Sequence, residues 1–296
     1  MNPAQADAWK SAVLDKVFDA LAQSDELCAA LVYKGARILK LRLGEGRQSL
    51  DIDSNLLRGF VERLPDRDEQ RAFLEEEIGR AIRHHFERQE PVELQLKAVK
   101  VKRQPPTQHP MGWDAFAVRL NVNDLTRHVH GLPALDIDIA APEELLAGSV
   151  SGIVVGGHEV RAYTLERIAG EKLRAFLSSL PAYRAKVRKP GEAVRAKDLY
   201  DVARILRTHG LGDEAFWEQA GQEFRLACRS RFIDCDGLIT FREQWDVTRK
   251  TYAEATIPKD VPFDEAEAAL AAVIGRFEGR GVVPFNFPLP ERVGSG

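Results

Sequence analysis

Residues 31–55 read LVYKGARILKLRLGEGRQSLDIDSN, and the fold turns on this stretch. It offers a short apolar strand, a Lys-Gly turn, a helix, a Gly-rich loop, and then two aspartates separated by one apolar residue. If Asp51 and Asp53 lie on a strand, the two-residue side-chain period puts both carboxylates on one face and points Ile52 into the core. Two converging carboxylates are a natural seat for a divalent cation. A helix beginning just after Gly35 would aim unpaired backbone N–H groups and its dipole at an anion, so the two halves together suggest a metal–nucleotide site.

Outward from this stretch, Trp9, Val13, Val17 and Leu21 recur at helical spacing within residues 4–22, and Phe73, Ile78, Ile82 and Phe86 within residues 66–88. From Val92 the period changes. VELQLKAVKVKRQ and FAVRLNVND alternate apolar and polar residues, the mark of half-buried strands in a mixed or antiparallel sheet, with the Pro-rich RQPPTQHPMGW loop between them. A further alternating run, ALDIDIA at 134–140, presents Asp136 and Asp138 on one face. GIVVGGHEVRAYT reads as two short strands around a Gly-Gly turn.

Beyond Thr164 the pattern is helical to the end, which predicts two domains, 1–163 and 164–296. The first helix of the second domain carries Leu165, Ile168, Ala169, Leu173 and Phe176 on one stripe, and Lys172 falls on the same stripe. Its ammonium either snorkels to water along its own stem or projects toward the acidic strands and a phosphate. Downstream, Arg184, Lys186, Arg188, Lys189, Arg195 and Lys197 outnumber the intervening Glu192 and form the best local candidate for phosphate contact. Helices follow near 213–229, 241–255 and 263–278, and then a Pro-rich tail.

Among the 296 residues, 44% are hydrophobic and 29% charged, enough to bury a sizeable core, and the formal charge of -3 gives no global nucleic-acid signature. Cys28, Cys228 and Cys235 are widely spaced with no C-x-x-C, which points to a reducing, cytoplasmic setting and away from a cysteine-rich zinc module. No signal-peptide h-region and no apolar run of membrane-spanning length is seen, so no membrane partner is expected.

Three constellations compete for the chemistry. In the first, Asp51 and Asp53 meet one or both of Asp136 and Asp138 to hold one or two Mg²⁺ (or Mn²⁺) ions on a nucleoside triphosphate, while a carboxylate accepts the proton of an attacking hydroxyl. The bland alternative is two unrelated solvent-facing strands. In the second, Asp234, Asp236, Gly237, Ile239 and Glu243 match the later part of a calcium loop, but Phe232 stands where the first carboxylate belongs, so a turn between helices is expected. In the third, His128 and His130 with His84 and His85 would need to converge on zinc, and no partner has helpful spacing.

Lys34-Gly35-Ala36, the following Leu39 and Leu41, and Arg47-x-Ser49-x-Asp51-x-Asp53 resemble the opening signature of the AbiEii/AbiGii toxin family of nucleotidyltransferases, in which K-G-G-T-A-L is followed by R-x-S-x-D-x-D. TLERIAGEKLRAFL and RAKDLYDVARIL resemble that family's two helical motifs, in the same order. The resemblance implies an α/β (α+β) protein. A polymerase-beta-like nucleotidyltransferase domain with a small mixed sheet would precede a helical domain, with the site in the cleft between them.

It also implies roles. Asp51 and Asp53 would hold the metal together with a third carboxylate, for which Asp136 and Asp138 both align and Asp138 is preferred. Lys34, Gly35, Ala36, Arg47 and Ser49 would sit at the triphosphate. Lys172, Lys197, Asp198 and Asp201 would complete the pocket from the helical domain. The chain departs from the family pattern at Ala36 and Arg37, where a glycine and a small hydroxyl residue are replaced, and this leaves triphosphate affinity or nucleotide choice open.

Members of the family are toxins of toxin–antitoxin or phage-defence systems. The implied reaction is transfer of a nucleoside monophosphate to an acceptor hydroxyl, on RNA such as tRNA, with growth arrest as the readout and an antitoxin protein as partner. Transfer to a protein or small molecule, or nucleotide and RNA binding without catalysis, are the alternatives.

Overall fold

The computed structural model describes residues 2–109, 111–127, 131–188, 191 and 193–290. His128 and His130 of the histidine set, and Lys189 and Glu192 of the basic run, lie outside the described residues. In chain order the elements are α1 (Pro3–Ala22), α2 (Asp25–Ala30), β1 (Leu31–Lys34), α3 (Gly35–Leu43), β2 (Asp51–Leu56), α4 (Arg58–Arg63) and α5 (Arg67–Glu87). Then come β3 (Leu94–Gln104), β4 (Ala115–Asp124), β5 (Leu135–Ala140), β6 (Val150–Val155) and β7 (His158–Tyr163). The remainder is helical: α6 (Leu165–Leu177), α7 (Pro181–Val187), α8 (Lys197–His209), α9 (Glu214–Arg231), α10 (Leu238–Phe241), α11 (Trp245–Glu254) and α12 (Phe263–Gly279). Helices α2 and α4, of six residues each, are too short to show a helical period and were not expected from the sequence.

Two compact units emerge. One comprises Met1–Ile38, Gln48–Glu143 and Val150–Tyr163; the other comprises Leu39–Arg47, Glu144–Ser149 and Thr164–Gly296.

The first unit is built on a seven-stranded mixed sheet in the order β3-β4-β5-β2-β1-β7-β6. The β2/β5 and β1/β7 pairs are parallel and the others antiparallel. Alternation decides which way each strand faces. Leu135, Ile137 and Ile139 of β5 are fully buried, as are Leu120 of β4 and Ile78 and Ile82 of α5, which packs on β3, while Asp136 and Asp138 point to the other face. Helix α1 starts with a reciprocal capping box between Asn2 and Gln5 and buries Leu14, Val17 and Leu21. Asp66 caps α5 by accepting from the backbone of Asp68 and Glu69.

In the second unit α6 packs closely on α9. A Cβ at Gly170 would come within 3.0 Å of the backbone of Glu223 and Phe224, so only glycine permits the approach. The buried Arg167 guanidinium pairs with Glu223 at 2.9 Å, and Glu223 also accepts from Ser149. Much of the basic run is used within this unit. Arg184 donates to the Ala193 carbonyl at 2.7 Å, Lys186 pairs with Asp234 at 2.7 Å, and Arg195 with Asp198 at 2.6 Å, so the phosphate contact expected of them competes with partners already in place.

Residues 232–244 connect α9 to α11 and contain the one-turn helix α10, where the sequence predicted only a turn. Phe232 ends α9 in the left-handed region, Asp234 also accepts from the Phe287 N–H, and Glu243 accepts from Ala182. No helix among the described residues is long and apolar enough to cross a membrane.

Candidate metal and nucleotide site

The parallel pairing of β2 with β5 sets Asp51 beside Asp136 and Asp53 beside Asp138. Because side chains repeat every two residues, all four carboxylates share one face of the sheet. Oxygens of Asp51, Asp53 and Asp138 lie within 4.8 Å of one another, and among the described residues this is the only group of three or more His, Cys, Asp or Glu side chains placed to hold a metal. Asp136 is drawn aside by Lys10, whose ammonium lies 2.8 Å from its carboxylate. The histidines at 84 and 85 are part of no such group, and His85 Nδ1 instead meets Gln23 at 2.9 Å.

Three carboxylates this close oppose one another. Desolvation by the surrounding sheet, followed by the charges of Asp51 and Asp136, raises the Asp138 carboxyl above the ordinary range for aspartate, and Lys34 and Lys10 offset only part of this. A divalent cation relieves that repulsion, and an all-carboxylate oxygen set suits a hard ion such as Mg²⁺ or Mn²⁺.

The residues between β1 and β2 serve this face. Lys34 stands opposite Asp53 in the β1/β2 ladder, with its ammonium 3.4 Å from Glu143, which also accepts from the Tyr163 hydroxyl at 3.1 Å. Gly35 opens α3 at φ +80°, and a Cβ there would collide with the Asp53 carboxylate. The position thus needs glycine twice over, for its backbone and for the clearance. Ala36 is buried. Ser49 donates from Oγ to Asp51 Oδ1 at 2.7 Å and so orients a metal-facing carboxylate rather than standing free.

Arg37 turns out to be a support. Its buried guanidinium donates to the carbonyls of Ser49 at 3.0 Å and Asp51 at 3.4 Å and pairs with Asp15 of α1. Burial lowers its pKa, and Asp15, Asp51 and Asp53 work against that. Arg37 lies within the 31–55 stretch, but nothing in its spacing signals this supporting role, and Lys10 and Glu143 reach the site from distant segments.

A second constellation lies within the helical unit. Lys172 is buried with its ammonium 2.6 Å from Asp201 and 3.1 Å from Asp198, so it neither snorkels to water nor stands unengaged. Arg47 donates from Nε and Nη2 to the same Asp201 carboxylate at 3.1 to 3.2 Å. Burial alone would raise the Asp198 carboxyl, but Arg195, Lys172 and Arg47 outweigh it and hold the group well below the ordinary carboxylate range. Lys197, the first residue of α8, is exposed.

The sequence profile of the family described as "Nucleotidyl transferase AbiEii toxin, Type IV TA system" matches residues 19–275. No curated protein matches the chain. Among solved structures, JHP933 from Helicobacter pylori is similar, with a TM-score of 0.52 at 15% identity over 95% of this chain and 94% of that one. MenT4, the nucleotidyltransferase toxin Rv2826c from Mycobacterium tuberculosis H37Rv, has a TM-score of 0.49 at 14% identity over 93% and 88%. At such identities JHP933 speaks for the fold alone, whereas the family match spans most of the sequence: the chain belongs to the AbiEii family of nucleotidyltransferase toxins of type IV toxin–antitoxin systems.

Proposed function

We propose that this nucleotidyltransferase transfers a nucleoside monophosphate from a triphosphate to an acceptor hydroxyl on RNA, with tRNA the foremost acceptor, and that the transfer arrests growth. The observation that carries the chemistry is the convergence of Asp51, Asp53 and Asp138 within 4.8 Å on paired parallel strands. A divalent cation bound there supplies charge neutralisation on the phosphates. The chain's own residues do the rest. Asp138 takes the proton of the attacking hydroxyl, whose oxygen forms the new bond to the α-phosphorus as the α–β anhydride bond breaks and pyrophosphate leaves. Ser49 and Arg37 hold Asp51 in place through its carboxylate and its backbone.

Lys34 and the backbone at Gly35 and Ala36, where α3 begins, receive the triphosphate. Within the helical unit, Arg47, Lys172, Lys197, Asp198 and Asp201 are the residues assigned to nucleotide recognition. For Lys172 and Arg47 this role means exchanging a carboxylate partner for a phosphate. An antitoxin is the protein partner that family membership implies.

Incubating the protein with Mg²⁺, each labelled nucleoside triphosphate in turn, and total tRNA tests the proposal. Label on RNA is expected. Label on protein would move the acceptor to a protein hydroxyl, and tight triphosphate binding with no transfer would make the chain a binder without catalysis.

A further inference from the structure

The ladder registers carry two rows of side chains across the open face of the sheet. One row runs Lys100, Arg119, Asp136, Asp51, and the next runs Lys102, Ala117, Asp138, Asp53, from β3 through β4 and β5 to β2. Residues directly opposed on neighbouring strands project to the same face. The metal-facing carboxylates therefore continue, one strand away, into a basic strip.

Lys97, Lys100, Lys102 and Arg119 are all exposed. Among the described residues none of the four pairs with a carboxylate, in contrast to Arg103 on the opposite face of β3, which pairs with Asp68 at 3.1 Å. Lys100 and Arg119 stand directly across from each other. Like charges so placed repel within the ladder, an effect that Asp136, across from Arg119 on β5 but engaged by Lys10, offsets only in part, so an anion over the pair is favoured. Lys97 occupies the register shift between Leu96 and Ala98, which adds a cation to the strip outside the regular alternation.

We infer that this face of β3 and β4 is the track on which the polynucleotide acceptor lies, its phosphates over Lys97, Lys100, Lys102 and Arg119 and its reacting hydroxyl at Asp138. Strands sit about 4.8 Å apart, so Lys102, two strands from Asp138 in the same row, lies about 10 Å along the sheet from it, within a nucleotide or two of the reacting end. Among the cations on this face stand Ala98, Ala117 and Asn121, with no aromatic or large apolar anchor of the kind that dominates protein–protein contacts, whereas a row of bare cations is what a phosphate backbone requires. The net charge of -3 confines nucleic-acid attraction to local patches such as this one. The inference rests on the RNA reading above and locates where that RNA binds.

The test uses the full chain and the triple variant Lys100→Gln, Lys102→Gln, Arg119→Gln, with 5′-labelled total tRNA titrated across a salt series and Mg²⁺–triphosphate binding measured alongside. All three positions are exposed, and a Tm no lower than native verifies the fold of the variant. The expected result is at least a tenfold loss of RNA affinity at low salt. The slope of log affinity against log salt should also flatten by about 2, since each lost phosphate contact removes roughly 0.7 to 0.9. Triphosphate binding should be unchanged. RNA binding with unaltered affinity and slope in the variant would overturn the strip while leaving the RNA reading standing. A native chain that binds no RNA at any salt, or that labels protein and loses this labelling in the variant, would overturn both.

Discussion

At the scale of single residues, Gly35 and Gly44 form a natural pair of controls. Both have φ near +80°, but a Cβ at Gly35 strikes the Asp53 carboxylate, whereas one at Gly44 meets nothing within 4 Å. Alanine at either position carries the same backbone strain, about 1–2 kcal/mol. Gly35→Ala is therefore expected to lose far more transfer activity than Gly44→Ala at a similar Tm, and equal activities would show that Asp53 tolerates displacement. Arg37 offers a second comparison. Arg37→Lys keeps the charge but loses the fork that spans the Ser49 and Asp51 carbonyls. If its task is to place Asp51, the variant should need roughly 10–100 times more Mg²⁺ for half-maximal transfer, the usual cost of removing a group that orients a metal ligand. An unchanged Mg²⁺ titration would reduce Arg37 to ordinary packing.

Between elements, the bond from α6 to α8 is ionic. Lys172 lies on two buried carboxylates, so Lys172→Met leaves Asp198 and Asp201 with reduced compensation and is expected to cost about 3–5 kcal/mol, read as a lower Tm. The same network sets an acid limit. Asp198 is held below the roughly 3.9 of an unfolded aspartate, so its contribution is fully present above about pH 4 and is lost as pH falls toward the folded value. In Asp198→Asn the fall in stability between about pH 4 and pH 2 should be shallower than in the native chain, as followed by chemical denaturation at each pH. Elements long enough to repeat their pattern were legible in the sequence, among them α1, α5, the alternating strands β3 to β5, and the stripe of α6. Six-residue helices were not, and neither was strand order, which depends on which strands meet across the chain. The aspartates of β2 and β5 could be named from their spacing. That Asp138 joins the cluster while Asp136 turns to Lys10 depends on α1, more than a hundred residues upstream, and no local pattern carries that information.

For the whole molecule, loss of the site should be separable from loss of the fold. Asp53 is half-buried and alternates with Ile52, which faces the core, so Asp53→Ala is expected to keep stability within about 1 kcal/mol of native. It should also cut transfer more than 100-fold and abolish growth arrest on expression. An Asp53→Ala chain that still arrests growth would detach toxicity from the triad. The topology adds a consequence of its own. Strand β1 pairs with β2 across a short connection, but the third carboxylate of the cluster arrives on β5, after β3 and β4 have been made, and slots in parallel beside β2. Such non-local pairing must wait for the intervening chain. A nascent polypeptide therefore carries Asp51 and Asp53 on a strand paired only with β1 until β5 is made, and a chain ending before Asp138 lacks the third carboxylate of the cluster. The cluster is thus a late product of chain growth, assembled only once the strand that closes it has been made.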